Sequence, residues 1–191
     1  MTTHLVIVGA GALGSHVLLF CRNIAAQFTV IDFDRVEQKN TLSQFHTKMG
    51  MGRNKAVALQ QTMQGLFGLK IKAVPHALTT ENAQLLLSNA DLVLDCVDNL
   101  EARQLITATV RELGIPCLHG ALSAEGTSFA RVMWDEAFAP DAGGEGEATC
   151  ENGEELPFIA NVAAQLASVT REFLEKGTRR SLHIHPTGMI E

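Results

Sequence analysis

Three glycines near the start of the chain have the spacing of a phosphate-binding turn. Gly9, Gly11 and Gly14 follow the apolar run Val6–Val8 in a Gly-x-Gly-x-x-Gly pattern. In such a turn the first glycine permits a tight bend, the second lets a phosphate approach the backbone, and the third lets the next helix lie close to the strand. The free N–H groups of that helix attract anions. The pattern indicates a nucleotide but does not distinguish ATP, NAD and FAD, and a plain glycine-rich turn is the alternative.

Two acidic residues follow the next apolar run, Phe28–Ile31. Asp32 lies 23 residues after Gly9, about where a strand-helix-strand nucleotide unit places the carboxylate that binds the ribose hydroxyls. Asp34 comes two residues later. The spacing favours nucleotide binding by this pair over an acidic turn that only ends a strand.

A second pair of polar residues, Asp98 and Asn99, follows the strongly apolar run 91–95. The carboxyl ends of strands form the edge at which open α/β sheets bind ligands. Asp98 is therefore a candidate metal ligand, although the pair could also cap the next helix, and the two roles can coexist.

Lys55 falls in the first turn of a helix whose candidate N-cap is Asn54. A cation at this end of a helix opposes the helix dipole. The unfavourable placement suggests a functional role, and the alternative is an exposed, solvated charge.

Strands and helices alternate along the chain to about residue 120, which predicts a parallel sheet covered on both faces. After residue 120 the pattern predicts a further strand at 127–134, for which antiparallel pairing is one option, then a long amphipathic helix and a final strand. The fold expected is a Rossmann-like α/β domain over 1–191, mostly parallel, with helices on both faces and antiparallel strands toward the C-terminus. The predicted strands are 6–8, 28–31, 70–74, 91–95, 115–119, 127–134 and 181–185, and the predicted helices are 13–21, 54–63, 80–88, 100–113 and 157–176.

Composition excludes several classes of protein. The chain has 191 residues, enough for one domain, and 15 basic against 21 acidic residues give a net charge of −6. That balance argues against a nucleic-acid or anionic-membrane surface, and no apolar run is long enough to span a bilayer. We expect a cytoplasmic protein. The Gly-, Asp- and Glu-rich stretch from 135 to about 157 predicts a long, mobile loop.

The four cysteines form no Cys-x-x-Cys pair, so neither a structural zinc nor a disulfide framework is expected. Cys21, Cys96 and Cys117 lie in apolar patterns and are expected in the core. Cys150 lies in the acidic loop.

Several of these residues and others form one ordered pattern. In chain order it consists of Asp32-Phe-Asp34-Arg-Val36, Asn40, Gln44, Lys55, Asp98-Asn99 and Thr149-Cys150. On these residues the sequence resembles the ThiF/MoeB family, which includes the adenylation domains of ubiquitin-activating enzymes. The resemblance implies an ATP- and Mg²⁺-dependent enzyme that adenylates the C-terminal glycine carboxylate of a small ubiquitin-like or sulfur-carrier protein and releases pyrophosphate. We expect a homodimer.

The resemblance also implies roles for individual residues. The nucleotide is expected to contact the glycine turn, the ribose to contact Asp32, and the Mg²⁺ ion to be held by Asp98. Lys55 is expected to act in catalysis through the phosphates. The full set of implied cofactor-binding residues is Gly9, Gly11, Gly14, Asp32, Asp34, Asn40, Gln44, Lys55, Asp98 and Asn99.

One departure from the family pattern bears on catalysis. The family has an arginine immediately before the residue matched by Gln44, and this chain has Ser43 there. A transition-state arginine is worth about 10³ to 10⁵ in rate in phosphoryl transfer. Arg53 or Lys39 is the candidate replacement. Arg103 matches the arginine that follows the Asp-Asn pair and is expected to hold that turn.

Cys150 has two interpretations. Relatives carry a cysteine at this point in a loop over the carrier tail, where a thiol could take up the activated acyl group. The neighbouring glutamates raise a thiol's pKa and disfavour the thiolate, so an ordinary loop thiol is the other interpretation.

Two alternatives to the adenylating enzyme remain. An NAD-dependent oxidoreductase would explain the glycine turn and Asp32 but leaves Lys55 and Asp98 without a role. A non-catalytic scaffold half of a heterodimeric activating enzyme would explain the serine at position 43.

Overall fold

The computed structural model describes residues 2–122, 129–139, 155–186 and 188–190. Its strands are β1 (Thr3–Val8), β2 (Ala26–Ile31), β3 (Lys72–Val74), β4 (Leu92–Asp95), β5 (Cys117–Leu122), β6 (Ala130–Trp134), β7 (Leu182–His185) and β8 (Gly188–Ile190). Its helices are α1 (Ala12–Cys21), α2 (Asn40–Ser43), α3 (Lys55–Phe67), α4 (Ala83–Leu87), α5 (Leu100–Leu113) and α6 (Leu156–Lys176). Short 3-10 helices lie at Lys48–Gly50 and Asp135–Ala137.

All eight strands form one sheet in the order β3-β2-β1-β4-β5-β6-β7-β8. The first five pair in parallel, and β6, β7 and β8 add antiparallel, which confirms the predicted sheet. The chain builds away from β1 in one direction through β2 and β3, and in the other through β4 and β5. The ends of β1 and β4 therefore flank the point where the strand order reverses, which is where such sheets bind ligands.

The apolar run in β1 is buried on both sides of the sheet. Leu5 and Ile7 face the core formed with α1, α3 and α6, whereas Val6 and Val8 face the core formed with α4 and α5. A strand covered on both faces needs a continuous apolar sequence rather than an alternating one. Helices thus lie on both faces, as predicted.

Several boundaries differ from the predictions. The strand expected to close at Gly120 continues to Leu122. A Cβ atom at Gly120 would lie 2.5 Å from a methyl of Leu13 on α1 and 2.7 Å from one of Leu166 on α6. The glycine there permits close helix packing and does not end the strand. Helix α2 and strand β8 were not predicted, since each is a few residues long and lacks a recognisable hydrophobic period.

The first residues of the predicted loop pack on the domain. Asp135 and Phe138 are buried, so the ordered part of the chain continues beyond β6. The expectation of a mobile loop is wrong for 135–139, and residues 140–154, including Cys150, lie outside the described ranges. In the part of the chain that the structure describes, no helix is both long and apolar enough to cross a membrane.

Residues 43–46 dock onto the glycine turn. The backbone N–H of Phe45 donates to Ser15 Oγ over 2.9 Å, and His46 Nε2–H donates to the carbonyl of Ala10 over 2.8 Å. Burial is the main cause that lowers the pKa of His46 to about 4. The ring is therefore neutral at physiological pH.

The two helix-side glycines of the turn are expected to respond differently to alanine. A Cβ at Gly14 would overlap the carbonyl oxygen of Gly9, whereas a Cβ at Gly11 meets no atom within 4 Å. Gly14→Ala should lower the free energy of unfolding by about 2 kcal/mol or more, because overpacking forces the backbone apart. Gly11→Ala is the matched control and should cost less than about 1 kcal/mol. Equal stability of the two variants in urea unfolding would contradict this packing.

His46 is expected to make stability fall in mild acid. Because its folded-state pKa is below its usual value of 6.5, the unfolded chain binds more protons between about pH 4 and 6.5. The contribution of His46 is fully present above that range and is lost as the pH falls. Between pH 7 and pH 5, wild type should lose about 2 kcal/mol more than His46→Gln. Parallel stability curves in urea unfolding would show that His46 titrates normally.

Candidate nucleotide site

The glycine turn has the geometry that the sequence predicted. Gly9 follows β1 with a φ of 94°, a left-handed conformation that favours glycine, and a Cβ there would lie 2.7 Å from the carbonyl oxygen of Cys96. Gly11 is the N-cap of α1, and the space beside its Cα is open. The strand and turn thus place a helix N-terminus, whose free N–H groups attract anions, beside open space at Gly11.

Asp32 ties the glycine turn to the end of β2. Its Oδ2 accepts the Ala10 N–H over 2.6 Å, and its Oδ1 accepts the Asp34 N–H over 2.8 Å. Burial is the largest influence on this carboxyl and raises its pKa, against the lowering effect of the two N–H groups. Each oxygen retains acceptor capacity beyond these bonds. The carboxylate can therefore position the turn and still accept from a ribose hydroxyl.

Lys55 is a buried cation and not the solvated charge that the sequence left as an alternative. It is the first residue of α3, is 8% exposed, and its Nζ lies 3.0 Å from Asp34 Oδ2. Asn54 caps the helix as predicted, since its Oδ1 accepts the Val57 N–H, and its Nδ2 also donates to the carbonyl of Asp32. The ion pair with the half-exposed Asp34 keeps the Lys55 ammonium at the carboxyl end of β2.

The segment around α2 brings polar groups to the same end of the sheet. Asn40 is buried and its Oδ1 accepts the Glu37 N–H over 2.8 Å. Ser43 Oγ, Gln44 Oε1 and His46 Nδ1 are buried and have no hydrogen-bond partner among the described residues. Buried polar atoms without partners are rare and mark places where a ligand or water can bind. The phosphate contacts predicted for Asn40 and Gln44 stay a prediction.

In the turn after β4, helix capping and the candidate metal contact fall on different residues of the Asp98-Asn99 pair. Asn99 caps α5, because its Oδ1 accepts the Ala102 N–H over 2.8 Å. Asp98 is exposed, and no described residue donates a hydrogen bond to its carboxylate. Within the described ranges, no group of three or more His, Cys, Asp or Glu side chains could hold a metal ion. One free carboxylate nevertheless fits Mg²⁺, which keeps several waters and binds phosphates alongside one or two carboxylates.

Behind this turn lies a buried polar network that the sequence did not reveal. Asp95 and His119 are fully buried, and His119 Nδ1 lies 2.7 Å from Asp95 Oδ2. His119 Nε2 lies 3.1 Å from Asp135 Oδ1, and Arg103 Nε lies 3.6 Å from Asp95 Oδ2. Arg103 also donates to the carbonyl of Val97, which confirms that it holds the turn. Only the acidic end of an apolar strand and a histidine in a neighbouring strand hinted at this arrangement.

Other predicted residues stand apart from this cluster. The exposed Arg53 donates to Gln61 on the outer side of α3 over 2.6 Å, and no described contact joins it to Lys55 or Asp34. Lys39 pairs with Glu37 over 3.7 Å. Cys150 is outside the described residues. The three cysteines expected in the core are buried there; burial raises the pKa of Cys21 to about 12 and raises the pKa values of Cys96 and Cys117 well above their usual range.

The arrangement can bind a polyanion next to a divalent cation. The helix N-terminus at Gly11, the ammonium of Lys55 and the free carboxylate of Asp98 all lie at the carboxyl ends of β1, β2 and β4. Preorganised N–H donors, a cation and a bound metal are the groups that stabilise charge during phosphoryl or nucleotidyl transfer.

Relatives of known function share part of this sequence. A sulfur carrier protein adenylyltransferase of Thermus thermophilus is 38% identical over 122 residues, which cover 61% of this chain and 44% of the relative. A SAMP-activating enzyme E1 of Haloferax volcanii is 29% identical over 125 residues, covering 64% of this chain and 46% of the relative. The chain thus spans less than half the length of these curated relatives.

Solved structures share the fold. A crystal structure of E. coli MccB with AMPCPP and MccA matches 98% of this chain and 62% of its own with a TM-score of 0.77, at 16% identity. TcdA (CsdL) matches 66% of this chain and 54% of its own with a TM-score of 0.58, at 23% identity.

A family model confirms the resemblance seen in the sequence. It matches residues 1–170, which include the glycine turn, Lys55, the Asp98 turn and most of α6. The chain therefore belongs to the ThiF family.

Proposed function

We propose that this chain is an adenylyltransferase that uses ATP and Mg²⁺ to activate the C-terminal glycine carboxylate of a small ubiquitin-like or sulfur-carrier protein. The carboxylate attacks the α-phosphate of ATP, an acyl-adenylate forms, and pyrophosphate leaves. Membership of the ThiF family and the adenylyltransferase names of its relatives support the reaction class. The observation that carries the proposal is the Asp98 turn, where Asn99 takes the capping role and leaves Asp98 free for a metal.

The negative charge of the two reactants determines what each site residue must supply. The attack brings an anionic carboxylate onto an anionic triphosphate, so the site must supply positive charge and N–H donors. The N-terminus of α1 and Lys55 meet the phosphates, and Asn40 and Gln44 offer amide groups to them. Asp98 would hold Mg²⁺, which would supply positive charge to the phosphates. Asp32 holds the glycine turn and offers its remaining lone pairs to the ribose.

The proposed partner class follows the names of the relatives. Those names point to sulfur carriers and SAMP-type proteins as substrates of the relatives, and we extend that substrate class to this chain. A homodimer in the cytoplasm that binds no nucleic acid or membrane is the proposed state. Transfer of the activated acyl group to Cys150 is a proposed second step, and Arg53 remains a proposed replacement for the arginine absent at Ser43.

The scaffold alternative has one specific observation in its favour. Ser43 stands where the family has an arginine, and its hydroxyl is buried rather than directed to solvent. A scaffold half would retain nucleotide-site geometry without turnover. The NAD alternative is disfavoured by the family match and leaves the buried Lys55 and free Asp98 unused.

ATP–pyrophosphate exchange tests the proposed reaction. Purified protein is mixed with small carrier proteins of the source organism that end in glycine, each compared with a copy lacking that glycine. Exchange should require ATP, Mg²⁺ and the terminal glycine, and Asp98→Ala should abolish it. Because Asp98 is exposed and unpaired, the variant should keep the wild-type unfolding midpoint. Asn99→Ala, which removes a cap, should instead lower stability by about 1 kcal/mol.

The outcome separates the two enzyme-related interpretations. Glycine-dependent exchange that Asp98→Ala removes supports adenylation. ATP binding with no exchange for any carrier, alone or in pairs, would favour the scaffold.

A further inference from the structure

We propose that His119 is a positioning residue, which fixes the Asp95 carboxylate and thereby the turn Cys96–Asn99 that presents Asp98. Its second ring nitrogen contacts the segment 135–139, which forms the start of the acidic stretch. The inference rests on the proposed function, since it concerns how the metal ligand of that site is held.

The ring of His119 lies between two carboxyl groups. His119 is fully buried, its Nδ1 lies 2.7 Å from Asp95 Oδ2, and its Nε2 lies 3.1 Å from Asp135 Oδ1. Both distances are within hydrogen-bond range, so both ring nitrogens are engaged. Rotation of the ring would break both contacts.

The contacts of Asp95 run directly to the metal-binding turn. Its Oδ1 accepts the Val97 N–H over 3.0 Å, and its Oδ2 is shared by His119 and Arg103. Arg103 also donates to the Val97 carbonyl and to the Gly120 carbonyl. Both ends of residue 97, immediately before Asp98, are therefore held by this network. Rotation of the Asp95 carboxylate would release the Val97 N–H and shift Asp98.

The other side of the ring anchors the segment after β6. Asp135 Oδ2 accepts from Arg111 Nε over 2.6 Å, which ties the segment to α5. Phe138 stacks on the His119 ring with 4.3 Å between centroids and a 10° interplanar angle, and its ring also lies 5.4 Å from the Arg103 guanidinium. A displacement of this segment would therefore move the ring that holds Asp95.

A purely stabilising role would not need this chemistry. Buried charged groups can often be replaced by packed apolar residues without loss of stability. Mg²⁺, by contrast, demands near-ideal octahedral geometry, and partners that orient a metal ligand typically change metal affinity or activity by about 10- to 100-fold. The network should therefore affect the metal-dependent part of nucleotide binding more than folding.

Two neutral substitutions of His119 test its contacts with Asp95 and Asp135 separately. His119→Asn places an amide nitrogen near the Nδ1 position and keeps a donor for Asp95. His119→Gln places it near the Nε2 position, keeps a donor for Asp135 and loses the one for Asp95. Both place a neutral amide at position 119, so they form a matched pair. Leu87→Ala in α4 controls for loss of stability at a buried site outside the network.

The readout is the ratio of the ATP dissociation constants measured calorimetrically in EDTA and in Mg²⁺. His119→Gln should lower this ratio by about 10-fold. His119→Asn and Leu87→Ala should keep it close to wild type even where they unfold earlier. Asp95→Asn retains an acceptor for the Val97 N–H but turns an amide group toward His119. It should lower the ratio as His119→Gln does, and it replaces His119→Gln in the test if that variant does not fold.

Unchanged ratios in His119→Gln and Asp95→Asn, or equal losses in the asparagine and glutamine variants, would overturn the positioning role while leaving the proposed function intact. If wild type itself binds ATP no better with Mg²⁺ than without it, both the metal site and this inference fail.

Discussion

The close approach of the glycine turn to the end of β4 is the constraint on which the site depends. Side chains at Gly9 or Gly14 would meet the backbone or Cβ of Cys96, at 2.7 and 3.1 Å. Their absence lets α1 begin directly beside the turn that carries Asp98. Because the strand order reverses between β1 and β4, no connection crosses this crevice, and the helix N-terminus and the free carboxylate can face one ligand.

Around that crevice, buried charges are paired rather than isolated. Lys55 is held by Asp34 at the end of β2, and Asp95 is held by His119 and Arg103 at the end of β4. An unpaired charge at these depths would cost several kcal/mol or lose its ionisation. The pairing keeps a cation and the turn that carries Asp98 in fixed positions before any ligand arrives. Preorganisation of this kind avoids reorganisation at the moment of reaction.

Local signals in the sequence predicted what lies close together along the chain. The bounds of α5 were predicted correctly, because Asn99 caps its start and Gly114, with a φ of 66°, ends it. The glycine turn and the cap at Asn54 were recognised for the same reason. These features depend on neighbouring residues whose conformational preferences act within one turn of helix.

Features that depend on distant parts of the chain escaped prediction. His119 meets Asp95 and Asp135 at separations of 24 and 16 residues, and only the pairing of β5 between β4 and β6 brings them together. The role of Gly120 depends on Leu13 and Leu166, which lie on two different helices. Lys55 could be marked as unusual from its place in a helix, but its burial and its bond to Asp34 required the fold.

Thermal unfolding with ATP and Mg²⁺, compared with NAD, tests most directly whether the crevice is an adenylating site. A ligand at about one hundred times its dissociation constant stabilises a protein by about 2.7 kcal/mol, which gives a clear rise in the midpoint. The fold and the free Asp98 carboxylate predict a rise with ATP that is larger when Mg²⁺ is present, and none with NAD. A rise with NAD alone would contradict the assignment of this crevice to ATP and Mg²⁺.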